Sequence, residues 1–579
     1  MWRVGYLLVV AGLLGGLALA SPAQSRDAAP KGHQPSSQAS LAEPAATDEF
    51  TERLIRDQLG RHRSHRRREA TDEFTERLIR DLTEKGFQVS EGQAKPYTLQ
   101  DCIDRTYPSL KNCFLANPAA PYVTPVVKTW PDEYVDPATV NAFVETDPGY
   151  SVTYRLDPRE AIVMYGQMPP PGRYMGLQTW EFSEHGKWKR KDYNHWANTP
   201  DLPFPMQYLF DTIPPNDPKS QRVISTSALG DVVNNVVMER QSGYPFGETR
   251  YFIITPSATT DHAVRRALQA QGVPDSYIFT EQIPSKDDFG PIGPLGMGKN
   301  AIDFFTAFRY AVPDDPNAAD KWRNNPPLTV LRVRAPASLG PVQRYKWLTF
   351  EARTANSEKP LRRDLKDLVA AVCDSLSSHA NLTSTDCSQP PPASSFMVDP
   401  VRDYGWVGPY CRNIAMDCQG DQQESAYFFS SPRSVDSGQV YAVVGTLATE
   451  TGNATHVGLS ANDASMMAGV TNVLDTDFKD TEGNVIKGLK GSADSYAATV
   501  NNTAKLFVHY FTKECDVLKD VPGGTENCSP TDGVQPPIGD PALRGMFIIG
   551  LRDYIALNTQ RGPDSSKLLT PRILTFTQP

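Results

Sequence analysis

The chain has 579 residues, with 58 Lys+Arg against 67 Asp+Glu and a formal net charge of −9. Hydrophobic residues make up 39% and charged residues 22%, which supplies a sizeable core and excludes wholesale disorder. The length exceeds one domain of about 100–200 residues, the acidic balance leaves no whole-chain footprint for nucleic acid, and 49 prolines argue against a helical bundle.

Residues 1–20 read MWRVGYLLVVAGLLGGLALA. Arg3 precedes an apolar run that ends in Ala18-Leu19-Ala20, the layout of a cleaved secretory signal peptide. No second apolar run of the about 17–25 residues needed to span a bilayer follows, so no membrane span is expected. The expected location is secreted, or periplasmic within the cell envelope. The eight cysteines fall into neighbouring couples: Cys102 with Cys113, Cys373 with Cys387, Cys411 with Cys418, and Cys515 with Cys528. An even count in an exported chain favours disulfides, and the short separations favour sequential pairing. No CxxC pattern and no histidine at finger spacing supports zinc.

Residues 21–94 form a polar, partly helical tail with a duplicated segment. ATDEFTERLIRD occurs at 46–57 and again at 70–81. Each copy opens with a Thr cap followed by acidic residues, a helix start. Gly86 supplies the stop for the second copy. Between the copies lies the basic run from Arg61 to Arg68, read as solvated charge, with a docking arm as the alternative.

Residues 95–376 are expected to form a mixed α/β domain. Strand patterns recur at 122–127, 150–154, 161–166, 173–182, 250–255 and 328–333, between Pro, Gly, Asp and Asn clusters. RYFIITP at 250–256, a helix pattern capped by Thr260, and YIFTEQIP at 277–284 make a β-α-β succession. A further helix pattern runs from Leu361 to Cys373. Residues 377–395 are a Ser/Pro-rich linker. Residues 396–579 carry short strand patterns at 440–446, 456–460, 506–511, 546–549 and 573–576, and read as an all-β, sandwich-like domain. The fold class is therefore α+β: a strand-rich first domain with a few helices, then a β-sandwich.

Several blocks carry a resemblance: PPPGRYMGLQTW at 169–180, MERQSGYPFGETRYFIITP at 238–256, TETGNATHVGLS at 449–460 and TQRGPDSSKLLTPRILTF at 559–576. They resemble an uncharacterised group of secreted bacterial proteins, over roughly the whole chain beyond the tail. The GRY-x-x-LQ strand also resembles envelope β-sandwich proteins of unknown function. The resemblance implies no catalytic residues.

The densest chemistry is WEFSEHGKWKRKDYNHW at 180–196. Indole faces stack on sugar rings and flat ligands, and nearby polar groups orient them. Trp180, His185, Trp188, Tyr193, His195 and Trp196, with Arg173 and Gln178 on the same strand pattern, are the candidate ligand-binding residues. The competing reading is a hairpin whose rings cover the core. Catalytic signals are poor. No G-x-S-x-G elbow occurs, and a triad would have to assemble Ser460 with His456 or His509 and Asp463 or Asp475. Asp475 to Gly483 departs from the calcium-loop pattern at Lys479 and reads as a polar turn. Glu181, Glu184 and Glu239 are carboxylates near the quoted blocks, and Glu239-Arg240 beside Asn234 and Asn235 reads as a polar cluster. No phosphate loop or dinucleotide fingerprint is present, so neither cofactor nor metal is expected. The functional expectation is an exported protein binding an extracellular glycan or small-molecule ligand through its aromatic patch. A secreted hydrolase without a motif and a structural envelope protein remain alternatives.

Overall fold

The computed structural model describes residues 72–117, 122–185, 222–230, 232–288, 290–400, 412, 420–434, 436–531 and 543–578. The signal segment, the first repeat copy, the basic run, Trp188, Tyr193, His195, Trp196, Cys411 and Cys418 lie outside the described residues.

The first half opens with helix α1 (72–84) and strands β1 (Gln88–Glu91), β2 (Gln93–Tyr97), β3 (Tyr122–Lys128), β4 (Glu160–Gln167), β5 (Gly172–His185) and β6 (Arg222–Ala228). Helix α2 (Asn235–Ser242), β7 (Thr249–Thr255), α3 (Ala258–Ala270), β8 (Ile278–Gln282), β9 (Asp303–Pro313) and β10 (Leu328–Arg334) complete it. The second half has helix α4 (Arg362–Ala380) and strands β11 (Ser425–Phe429), β12 (Val440–Thr446), β13 (His456–Asp463) and β14 (Ala468–Leu474). The last strands are β15 (Leu506–Thr512), β16 (Cys528–Pro530), β17 (Met546–Tyr554) and β18 (Arg572–Phe576).

These strands stack in layers. An outer sheet, β1-β10-β4-β7-β8, faces a central sheet, β2-β3-β9-β5-β6. Ile162, Met164, Phe252 and Ile254 from the outer sheet meet Met175, Leu177, Phe304 and Phe308 from the central one. The outer sheet is apolar on both faces. Ala161, Val163 and Ile253 point the other way, where α1 and α3 cover them with Leu78, Leu82, Val264 and Leu268. Burial on both faces is why β4 reads AIVMY without alternation. In the second half, β11-β17-β13-β14 packs on β16-β15-β12-β18 around Phe428, Leu459, Phe507, Phe547 and Ile573, a β-sandwich. Helix α4 seals its far side through Leu365, Leu368, Val372 and Leu376.

The β-α-β unit is present, and its strands β7 and β8 are parallel. Its helix is capped by Ser257, whose Oγ accepts the Thr260 amide at 3.1 Å, rather than by Thr260 itself. The second repeat copy is a docked helix and not a free tail. Phe74 packs edge-on to Tyr165 at 5.4 Å, and Thr75 Oγ1 bonds the Tyr165 hydroxyl at 2.7 Å. The folded body thus begins with α1 rather than at Lys95. The boundary drawn at 376 falls inside α4, which packs on the second half. The stretch after it is tied to β18 by backbone pairing of Thr383 with Thr577 and of Phe396 with Arg572. From Glu69 to Pro579 the chain forms one compact unit.

Among the described residues three disulfides are formed, Cys102–Cys113, Cys373–Cys387 and Cys515–Cys528, with Cα separations of 5.8, 6.1 and 5.9 Å. Each closes a short loop, which stabilises by about 2–4 kcal/mol in the chain-entropy account. No helix among the described residues is long and apolar enough to cross a membrane.

Strand β5 changes partner along its edge, from Ala228 opposite Trp180 to Val233 opposite Leu177. The amide of Thr179 donates instead to the side chain of Glu281. Burial pushes the Glu281 carboxyl from 4.5 up to about 8, against the two bonds from Thr179. The folded chain therefore holds a proton there that the unfolded chain releases above pH 4.5, so this group's stabilisation is lost as pH rises through about 8. Between pH 6.5 and 8 the parent should lose about 2 kcal/mol that Glu281→Gln does not, at roughly 1.4 kcal/mol per pH unit. Urea unfolding of both proteins at the two pH values measures this, and parallel pH profiles would show that Glu281 is ionised throughout.

Candidate functional site

Alternation along β5 sends Met175 and Leu177 into the first core and Tyr174, Trp180 and Phe182 to the opposite face. That face meets the C-terminal sandwich. Trp180 stacks on Phe305 of β9 with centroids 5.7 Å apart, and Phe305 stacks on Phe143 at 4.0 Å. Phe114, held beside the Cys102–Cys113 disulfide, packs edge-on to Phe182 at 6.1 Å. The Trp180 indole N–H donates to the carbonyl of Asp421 at 2.8 Å, which joins this aromatic wall to the second half.

Between the walls lies a cavity of about 80 Å³. Trp180, Phe305, Phe143 and Phe114 line one side; Tyr427, Phe429, Asp421, Gln422 and Arg552 line the other. A second cavity of about 170 Å³ shares Tyr97, Cys113, Ala116, Asn117 and Tyr122 with the first.

Four polar groups mark the first cavity. Thr226 sits where the register between β5 and β6 shifts, with φ of +43°. A β-branched residue at positive φ costs about 1–3 kcal/mol, and bulges re-aim side chains. The chain at Gly420 passes so close that an added Cβ would lie 2.9 Å from Thr226 Cγ2. Thr226 is 6% exposed and its Oγ1 has no hydrogen-bond partner among the described residues; Gln422 is 8% exposed and its Oε1 has none there either. Asp421 accepts the Ala228 amide at 2.8 Å and the Gln423 side-chain amide at 2.6 Å, while burial pushes its carboxyl up to about 6. Arg552 donates to Ser460 Oγ and to the Leu115 carbonyl, both at 2.8 Å, and lies over the Phe429 ring at 5.6 Å.

Of the residues singled out from the sequence, Trp180 lines the cavity. Gln178 is buried, and neither of its amide atoms has a partner among the described residues. Arg173 instead pairs with Asp475 at 2.8 Å and Thr476 at 2.7 Å. His185 ends β5 and approaches Asp136 at 3.3 Å. These two do not line the cavity with Trp180. The residues that sequence reasoning missed, Thr226, Asp421, Gln422 and Arg552, come from distant segments with no motif. The YFF run of β11 was the one signal within the aromatic content.

The catalytic combinations do not assemble. His456 lies flat on Tyr554, with centroids 4.4 Å apart, and burial beside Arg173 and Arg309 pushes its ring down to about 3. Ser460 Oγ is held by Arg552 and the Gly550 carbonyl. His509 contacts Ser529 at 2.9 Å, and Asp463 accepts from Ser465 and the Met466 amide. Asp480 accepts the amides of Glu482 and Asn484, an Asx-type turn, as the polar-turn reading expects. Glu181 is 3.9 Å from Arg412, and burial pushes it up to about 8. Arg240 donates to the Asn558 carbonyl, and Asn234 caps α2 by accepting the Val237 amide. No group of His, Cys, Asp and Glu among the described residues is placed to hold a metal ion.

No family model matches this chain, and no curated protein matches it. Among solved structures it is similar to an uncharacterised protein from Burkholderia cenocepacia, at 10% identity over 90% of each chain with a TM-score of 0.32. It is also similar to a protein from Vibrio parahaemolyticus, at 12% identity over 73% of this chain and 87% of the other, with a TM-score of 0.28. Likenesses this distant carry no argument about the site.

Trp180→Ala removes a buried indole and its bond to Asp421. The unfolding free energy should fall by about 3–5 kcal/mol in urea titration, and a loss below about 1 kcal/mol would mean the wall relaxes into the gap.

Proposed function

We propose that this chain is an exported binding protein that takes a small ligand with a flat apolar body between its central sheet and its C-terminal sandwich. The observation that carries this reading is the juxtaposition, in one aromatic cavity, of buried polar atoms that lack partners among the described residues. Buried polar groups are almost always hydrogen-bonded, and those that are not call for an explanation. A ligand atom placed between Thr226 and Gln422 supplies one.

Cavities of about 150 Å³ with apolar walls admit benzene; the second cavity, about 170 Å³, is of that size, and the first, about 80 Å³, takes a whole ring only by using space along the lining it shares with the second. Trp180 is only 4% exposed, which favours an engulfed small molecule over a glycan chain lying on a surface platform. Export is supported by the layout of residues 1–20 and by three disulfides.

Thermal unfolding with a panel of benzene-, indole- and monosaccharide-sized compounds tests the reading. At 100 times its Kd a ligand stabilises by about 2.7 kcal/mol, a rise of a few degrees for a chain of this size. Ala116→Leu, which fills space shared by both cavities, should abolish the rise. A panel without effect, or an equal rise in the filled variant, would remove the cavity from the reading.

A further inference from the structure

Four of the buried arginines face a carboxylate among the described residues. Arg309 contacts Glu424; Arg332 bonds Glu133 at 2.6 Å and Glu160 at 3.1 Å; Arg412 bonds Asp287 at 2.6 Å; Arg155 lies 3.7 Å from Asp303. Arg250 and Arg572 form no ion pair among the described residues; Arg250 reaches Ser242 Oγ and the carbonyls of Thr249, Gly243 and Tyr244, and Arg572 reaches the carbonyls of Ser395 and Asp386. Arg552 is 3% exposed and forms no ion pair among the described residues. Its only acceptors there are Ser460 Oγ and the Leu115 carbonyl, two bonds for a group with five N–H donors.

A buried cation without a counter-charge is costly unless something neutralises it. The Phe429 ring at 5.6 Å compensates in part. Asp421, on the same wall, is occupied by the Ala228 amide and the Gln423 side chain. What distinguishes Arg552 is its place: it lines the aromatic cavity.

We infer that the ligand is a small aromatic carboxylic acid whose carboxylate neutralises Arg552 while its ring lies against Trp180 and Phe305. This rests on the cavity reading above and adds the charge of the ligand to it. Guanidinium and carboxylate match as planar partners, and a charge-assisted bond in a site sheltered from water discriminates strongly against a neutral isostere. Thr226 Oγ1, which can donate or accept, is a further contact for the acid's second oxygen or for a ring substituent.

Calorimetric titration of the full chain at pH 7.5 with matched pairs tests the inference: benzoate against benzyl alcohol, and 3-phenylpropionate against 3-phenylpropanol. Each acid should bind about ten-fold or more tightly than its alcohol. Arg552→Gln should bring the acid-to-alcohol affinity ratio to about one, whatever it does to the two affinities together. Arg552→Lys keeps the charge without the planar fork, so it serves if the Gln variant does not fold. It should lower that ratio several-fold without reaching one. If acid and alcohol bind the parent equally, and both are lost in Ala116→Leu, the carboxylate inference is overturned and the cavity reading stands. If neither compound of either pair binds, both are overturned.

Discussion

A buried ion pair joins the two halves of this protein. Arg309, from the middle of β9, reaches across the face of the central sheet to Glu424, at the entry to β11, and the Tyr174 hydroxyl bridges them, 2.7 Å from the guanidinium. Both charged side chains are fully enclosed. Removing one partner of such a pair leaves a stranded charge and typically costs about 3–5 kcal/mol, whereas replacing both with apolar residues need not. Its value here is placement. Opposite Arg309 in the ladder stands Gly176, where an added Cβ would lie 2.8 Å from the Tyr174 hydroxyl. The glycine leaves room for the triad to form.

With Glu424 held, the short run before it is held too. Asp421 meets the Ala228 amide and the Trp180 indole, and Gln423 turns to Arg561. Gln422, between them, faces the cavity. On the far side, Arg552 of β17 reaches the Leu115 carbonyl, two residues along from the Tyr554–Asn117 bond of 2.6 Å. The loop that carries Leu115 and Asn117 follows the Cys102–Cys113 disulfide. The cavity is thus bounded by elements pinned from several directions. This is the condition under which a strained Thr226 and unsatisfied polar atoms persist in place of relaxing.

Layering explains the gap at this interface. Inside each half, facing sheets interdigitate aliphatic side chains and phenyl rings. Between the halves the contact mixes stacked rings with a guanidinium, carboxylates and amides, whose hydrogen-bond geometry dictates spacing before packing can close it.

The strand-rich α+β character, most individual strands, the β-α-β succession (though not the direction of its strands) and three of the cysteine pairs were legible in the chain alone. Each depends on residues near one another: alternation, turn residues, caps and short cysteine spacings report local geometry. Strands β1, β2, β6, β9, β11, β14 and β16 were missed. DFFTAFRYAVP is covered on both faces and buries Arg309, so it lacks the alternation by which a half-exposed strand is recognised. The aromatic block was legible as chemistry, and Trp180 does stand at the cavity. Which residues would share that cavity was not. Thr226, Asp421, Gln422 and Arg552 are brought to Trp180 by a bulge, a buried ion pair and the docking of one sheet on another. Such long-range contacts are settled by packing and charge balance in three dimensions, and no periodicity along the chain encodes them.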